Sequence, residues 1–429
     1  MADLETLRPG SRGTAVELLQ LGLQRAGFSP GEIDGIFGTR TANSLSQFQS
    51  NNALIPDAIA GPLTWSALTP WLTGYISHTV RSNDTLYNLA RRYSTTVKAI
   101  DAANPGISSL QLRPGSVLTI PLAFNVVPTN ISFTPTVLDY CIHGLSARYP
   151  FLKTGSAGKS IMGRNLHTLS IGTGKNQVFY NAAHHANEWI TSVILMKFLE
   201  DYARAYAFSG TIFGTSARDL YEITTLFIMP MVNPDGVSLV TGELRSGPSY
   251  RYATEIAAAY QAIPFPSGWK ANIEGIDPNL QYPAGWSEAR EIKFAQGFVS
   301  PAPRDYVGAA PLEIPESRAA YNFTRQHDFS ITLSYHTQGR VIYWRHLDYM
   351  PARSRDIALQ FSAVSGYVAE TTPTESGYAG YKDWFIQDYN RPGYTIEAGT
   401  GVSPLPLSQF DEIYRDNLGI LTLGLSVTA

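Results

Sequence analysis

Three short segments, far apart in a chain of 429 residues, carry the residue types of a hydrolytic metal centre: His185-Ala186-Asn187-Glu188, Tyr335-His336-Thr337-Gln338-Gly339 and Tyr394-Thr395-Ile396-Glu397-Ala398-Gly399. Two imidazoles and a carboxylate are the donor set of a catalytic zinc, which keeps one position open for water. A further glutamate beside that water can take its proton and later deliver it to a leaving amine. The chemistry predicted is metal-assisted hydrolysis with a glutamate as proton relay. His-x-x-Glu alone arises by chance, so the weight rests on the ordered set. His184 competes with His185 for the first position. The three-residue step to Glu188 favours His185, because a helical start aims two such side chains at one point.

These residues need rigid elements behind them. Gln177-Val178-Phe179-Tyr180 reads as a strand ending just before His184, and Trp189 to Tyr206 as a long amphipathic helix. Thr225 to Met231 is a strand leading into the turn Asn233-Pro234-Asp235-Gly236, and Ile331 to Tyr335 is a strand ending at His336. Apolar strands alternating with helical patterns predict an α/β sheet covered on both faces over residues 127–429, after a linker at Phe124–Pro128. The candidate loops leave strand ends, where open α/β sheets place their ligand crevices.

Composition narrows the class. A net charge of −3 gives no electrostatic basis for binding nucleic acid or a polybasic membrane contact. Cys141 is the only cysteine, so no intrachain disulfide forms and stability must come from packing. No apolar run of about 18 residues predicts a membrane span. The start Met1-Ala2-Asp3-Leu4-Glu5 lacks the basic and apolar pattern of an export signal. The expectation is therefore cytoplasmic synthesis.

Ahead of the large domain lie two small ones. In residues 1–72, Val16, Leu19 and Leu23 form one helical face, Pro30-Gly31 breaks it, and Thr39 is the expected N-cap of a helix bearing Ala42, Leu45 and Phe48. Asp34-Gly35-Ile36-Phe37-Gly38 is echoed by Asp57-Ala58-Ile59-Ala60-Gly61. With Phe48-Gln49 and Gly61-Pro62-Leu63-Thr64-Trp65, this helical unit resembles the peptidoglycan-binding domain of cell-wall hydrolases. Residues 76–123 read as strand, helix, helix, strand. Through His78-Thr79-Val80, Asp84-Thr85-Leu86, Asn104-Pro105-Gly106 and Leu112-Arg113-Pro114-Gly115 they resemble the LysM module, which binds glycans containing N-acetylglucosamine. That resemblance implies a sugar groove at Asp84, Thr85, Asn104 and Pro105. An ordinary cap and turn would use the same residues.

The ordered motifs of residues 127–429 resemble the zinc carboxypeptidase family, which implies a mixed-sheet α/β fold and a zinc cofactor. By that resemblance His185, Glu188 and His336 match the metal ligands, Glu397 the general base, and Asp277 a carboxylate behind a zinc-bound imidazole. Lys270 stands where the family has an arginine that polarises the scissile carbonyl, supplying charge without the fork. Asn279 matches a holder of the substrate carboxylate, and Tyr378, with Tyr381 as alternative, a tyrosine that covers the substrate.

One departure sets the expected specificity. Digestive-type members follow that asparagine with an arginine that clamps the free C-terminus; here the position is Leu280. Asn187 also replaces an arginine often seen inside His-x-x-Glu. This version resembles the bacterial branch that cleaves γ-D-glutamyl–diaminopimelate bonds in wall peptides. A cation must still meet the D-glutamyl carboxylate, and Arg340 and Arg251 are the candidates. The expected function is thus a zinc-dependent peptidoglycan endopeptidase acting at the wall, by family analogy during sporulation or lysis. The alternatives are a carboxypeptidase on peptide ends and a wall-binding protein without catalysis.

Overall fold

The computed structural model describes residues 4–107 and 112–429, so Met1-Ala2-Asp3 of the chain start lie outside the described residues. The chain divides into two compact units, Met1–Lys153 and Thr154–Ala429.

In the first unit, helices Thr14–Arg25, Thr39–Asn51 and Pro62–Thr73 bury Val16, Leu19, Leu23, Leu45, Phe48 and Leu68. Gly38, not Thr39, holds the N-cap position, and Thr39 is the first helical residue. The sequence echo has a physical cause. Gln20 Nε2 donates to Asp34 Oδ1 (2.9 Å), Ile36 O (3.2 Å) and Thr41 Oγ1 (3.2 Å). Gln49 Nε2 repeats the pattern with Asp57 Oδ1 (2.9 Å), Ile59 O (3.0 Å) and Thr64 Oγ1 (3.2 Å). Each buried glutamine ties a turn to the helix after it, and each amide is satisfied, as burial demands.

Strands β1 (Tyr75–Thr79) and β2 (Val117–Pro121) pair antiparallel, and helices Leu86–Arg92 and Val97–Ala103 close a small core of Val80, Leu86, Leu89, Ile100, Leu118 and Ile120. Most of the polar groups expected in the sugar groove are engaged in holding this module together. Asp84 accepts from Arg81 N (2.8 Å) and lies 2.8 Å from His78 Nε2. Thr85 is the N-cap, its hydroxyl accepting from Asn88 N. The Asn104 amide donates to Ile100 O and Thr119 O and accepts from Thr119 N. Pro105 is exposed. Helix Pro135–Arg148 belongs to this unit as well. A Cβ on Gly144 would lie 2.0 Å from Thr73 O, so only glycine permits its approach to helix Pro62–Thr73.

The second unit is built on strands β3 (Lys153–Lys159), β4 (Asn165–Ile171), β5 (Asn176–Ala182), β8 (Thr224–Met229), β9 (Phe329–His336), β10 (Val341–Tyr343), β11 (Val368–Glu370) and β12 (Gly393–Glu397). A separate hairpin, β6 (Thr211–Ile212) with β7 (Thr215–Ser216), stands outside the sheet. The sheet order is β11-β10-β12-β9-β5-β8-β4-β3. The four central strands are parallel, whereas β4 and β10 join antiparallel. The central strands are buried on both faces along most of their length, polar Ser334 and Thr332 of β9 included, as expected of a parallel sheet covered on both sides. Phe179 faces the cluster of Met229, Tyr282, Phe329, Tyr381 and Trp384. On the opposite face Tyr180 donates to Leu421 O (2.9 Å) from helix Phe410–Leu423. The helix expected to be amphipathic, observed as Ile190–Ala207, is buried over most of its circumference, with Lys197, Asp201 and Arg204 on its wetter side. Among the described residues no helix is long and apolar enough to cross a membrane.

Candidate active site

The site forms where β5, β9 and β12 end. β5 stops at Ala182, and Ala183 takes a positive φ of 50°, turning the chain so that His184 and His185 leave the sheet. A 3-10 turn, Ala186–Glu188, then brings Glu188 back toward His185 before the long helix begins. β9 ends at His336 and β12 at Glu397, which are direct partners in the strand register. The Asn233-Pro234-Asp235-Gly236 turn clamps these loops. Asn233 Nδ2 donates to His184 O (3.1 Å) and Ala271 O (2.9 Å), and its Oδ1 accepts from Gly236 N (3.0 Å). A Cβ on Gly236 would sit 2.6 Å from Ala271 O, so glycine allows the loops to close up.

His185, Glu188 and His336 converge within one buried cluster. His185 Nδ1 lies 3.1 Å from Glu188 Oε1, His336 Nδ1 lies 3.0 Å from Glu188 Oε2, and the two Nδ1 atoms are 3.2 Å apart. His185 Nε2 lies 3.1 Å from Asp277 Oδ1. His185 thus meets a carboxylate on each ring nitrogen; with the Nε2 proton donated to Asp277, Nδ1 is left to offer its lone pair to a cation. That lone pair then points at a carboxylate oxygen and at a second imidazole nitrogen, an arrangement that a shared cation relieves. The donor set, two imidazole nitrogens and one carboxylate, is that of catalytic zinc with a place left for water.

Charge around the cluster is balanced. Burial raises the Glu188 carboxyl, but the Lys270 ammonium at 2.9 Å and the imidazoles hold it well below the ordinary range. Burial likewise opposes ionisation of Asp277, and His185 outweighs it. Asp277 also accepts from Asn279 N and Asp305 N, so it caps a turn and holds an imidazole at once. Glu397 behaves oppositely: burial and the charge of Glu188 push it up to about 8. His184 is turned away, with Nε2 at 3.0 Å from Tyr282 OH and its ring stacked on His336.

A cavity of about 220 Å³ opens over the cluster, with His185, Lys270, Asp277, Asn279, His336 and Glu397 in its wall. Leu280 lines it where a clamping arginine was absent from the sequence. Other expected contacts are elsewhere. Arg340 is held by Glu412 (3.1 Å) and Asp416 (3.2 Å), outside the cavity wall, and Arg251 lies exposed on helix Pro248–Ala258. Tyr378 packs against Gly285 beside Trp286 and Phe294, and Tyr381 is buried with its hydroxyl on Thr324. The tyrosine in the wall is Tyr343 of β10. Lys293, Arg304 and Asp305 also line it, as do Lys382 and Asp383. None of these sits in a recognisable spacing with the metal motifs; only the fold gathers them.

Comparison with known proteins gives the same reading. The zinc carboxypeptidase family model matches residues 139–419, a peptidoglycan binding domain model residues 12–68 and a LysM domain model residues 78–121. The chain is 46% identical over 287 residues to gamma-D-glutamyl-L-diamino acid endopeptidase 1 of Lysinibacillus sphaericus, covering 66% of this chain and 70% of that protein. It is 36% identical to the uncharacterized protein YqgT of Bacillus subtilis, covering 65% of this chain and 73% of the relative. Among solved structures, bovine thrombin-activatable fibrinolysis inhibitor, in complex with tick carboxypeptidase inhibitor, aligns with a TM-score of 0.51 at 18% identity, over 68% of this chain and 96% of its own, a likeness of fold alone. The chain belongs to the zinc carboxypeptidase family and is a zinc metallopeptidase bearing peptidoglycan-binding and LysM domains.

Proposed function

We propose that the enzyme hydrolyses the amide bond between a γ-D-glutamyl residue and the diamino acid that follows it in wall peptides. The single observation carrying this is Leu280 in the cavity wall, in a chain 46% identical to a protein named for that activity. With Leu280 following Asn279, the arginine that would clamp a free C-terminal carboxylate is missing from that position.

His185, Glu188 and His336 are the residues that would hold zinc. Bound zinc supplies Lewis-acid polarisation of a water and of the scissile carbonyl. Glu397 takes the proton from the attacking water and returns it to the leaving amine. Burial holds its carboxyl above the ordinary carboxylate range, which makes it a stronger proton acceptor than an exposed glutamate. Lys270 stabilises negative charge developing on the carbonyl oxygen. Asp277 keeps His185 in the tautomer that offers Nδ1. Asn279 has its Oδ1 occupied by Tyr381 N, leaving the amide nitrogen as a donor to substrate. Arg304 and Lys293 both contact Asp305, two cations on one anion, and this surplus positive charge suits the free α-carboxylate of the D-glutamyl unit. We assign that role to Arg304 in place of Arg340. Residues 1–72 and 76–123 act as wall anchors that raise the effective concentration of polymeric substrate.

Digestion of purified muropeptides, with the new termini identified by mass spectrometry, tests the reading. The expected products end in D-glutamate with a free γ-carboxylate; release of single C-terminal residues instead supports the carboxypeptidase alternative.

A further inference from the structure

The peptidoglycan-binding domain and the LysM module are separated by a single residue. Helix Pro62–Thr73 ends the first and β1 opens the second at Tyr75, with Gly74 between them. Gly74 takes a left-handed φ of 79°, its N–H donates to Pro70 O (2.8 Å) and its carbonyl accepts from Leu122 N (2.8 Å). The chain leaving the LysM module returns to this joint and buries Val126, Val127, Ile131 and Phe133. A Cβ on Gly74 would meet Val126 Cγ2 at 2.9 Å. Arg25, at the end of helix Thr14–Arg25, donates to Trp71 O (3.2 Å), Asn125 O (2.9 Å) and Val126 O (3.1 Å) and lies 4.6 Å from the Phe124 ring centre. Glu17 of the same helix accepts from Ser132 N (2.8 Å). Helix Pro135–Arg148 braces both domains. It packs on helix Pro62–Thr73 of one and on helix Val97–Ala103 and strands β1 and β2 of the other. Its Arg148 donates to Phe124 O (2.7 Å), and His143 Nε2 lies 2.8 Å from Tyr75 OH. The zinc carboxypeptidase match begins at residue 139, inside this helix, so part of the matched segment serves the binding unit.

We propose that these elements form one rigid head carrying two peptidoglycan sites at a fixed separation, held by helix Pro135–Arg148, and that both sites engage the wall at once. The partner is polymeric peptidoglycan, which repeats its glycan and peptide units and so can meet both sites. A flexible tether would spread the second site over many positions and lower its effective concentration at the polymer. A buried joint has lost that freedom on folding, so the second contact carries little further entropic cost. This inference rests on the wall-anchoring role proposed above and is independent of which bond is cleaved.

The test uses the full zinc-loaded chain as parent, carrying Glu397→Gln so that the wall is not cut. It also carries Cys141→Ala, so that spin labels attach only to cysteines placed at exposed Leu63 and Arg91. Pulsed electron resonance should give one narrow separation between the labels. Gly144→Leu, whose side chain would collide with Thr73 O, combined with a short Gly-Ser insertion after Gly74, should broaden it. The loosened chain should lose affinity for insoluble peptidoglycan, on the order of tenfold or more. It should still bind a soluble disaccharide-peptide, long enough for one site only, as the parent does. If circular dichroism shows that this variant does not fold, Arg25→Met with Arg148→Met loosens the joint instead. A broad separation in the parent, unchanged wall affinity in a loosened chain, or equal losses on polymer and fragment would overturn the proposal. Failure of the parent itself to bind the wall would overturn the anchoring role along with it.

Discussion

Glu397 and His336 are register partners at the ends of the parallel strands β12 and β9. Backbone hydrogen bonds of the sheet therefore set the distance between the proposed proton acceptor and the imidazole proposed to bind the metal, with no flexible loop between them. Such positioning on rigid elements is what a proton transfer over hydrogen-bonding distance requires.

Replacing Glu397 by Gln keeps the shape and removes the acceptor. Zinc content should be unchanged while kcat falls by roughly 10²–10⁴-fold or more. Near-normal turnover with zinc retained would remove Glu397 from the mechanism.

His336→Ala takes one of three donors from the buried cluster. Elemental analysis of purified wild-type protein should give about one zinc per chain. The variant should lose most of it under dialysis that the wild type withstands, and full retention would rule out this ligand set.

How much of this was readable in advance follows from where each residue sits. His185 and Glu188 lie three residues apart just after β5, and His336 and Glu397 end β9 and β12, so short motifs in a fixed order, matched to a family, marked them. Arg304, Asp383 and Tyr343 come from separate loops, a helix start and a short strand, and share the cavity only through the fold. Arg340 misled for a related reason: Glu412 and Asp416 neutralise it, and they lie more than seventy residues away in sequence. Asn104 was read as a sugar contact because a turn and a groove use the same residue types, whereas its amide completes the edge of β2.

The first compact unit ends at Lys153, so a fragment of residues 1–153 keeps helix Pro135–Arg148 with the elements it packs on. It should sediment with insoluble peptidoglycan, and the wild type should do so equally after Glu397→Gln. A fragment that stays in the supernatant would move wall anchoring to the catalytic unit.

Glu316 offers a pH signature away from the metal. It is fully buried, and burial first, with Asp235 adding to it, raises its carboxyl from 4.5 to about 7. With the folded value above the unfolded one, its stabilising contribution is complete below pH 4.5 and is lost as pH rises toward 7. The gap corresponds to about 3 kcal/mol. Glu316→Gln should flatten the decline of thermal stability between about pH 4.5 and 7, the window set by the unfolded and folded values, and raise the melting temperature at its upper end. Parallel wild-type and variant profiles would mean that Glu316 does not titrate there.

The central claim is cleavage at the γ-D-glutamyl bond without a need for a free C-terminus. Its most direct test is kcat/KM on three γ-D-glutamyl–diamino acid peptides, whose diamino acid ends in a free carboxylate, an amide or a further residue. The account predicts cleavage of all three at the γ-D-glutamyl bond with similar efficiency, and a large loss only when the D-glutamyl α-carboxylate is removed. Cleavage confined to the free-ended peptide would contradict it.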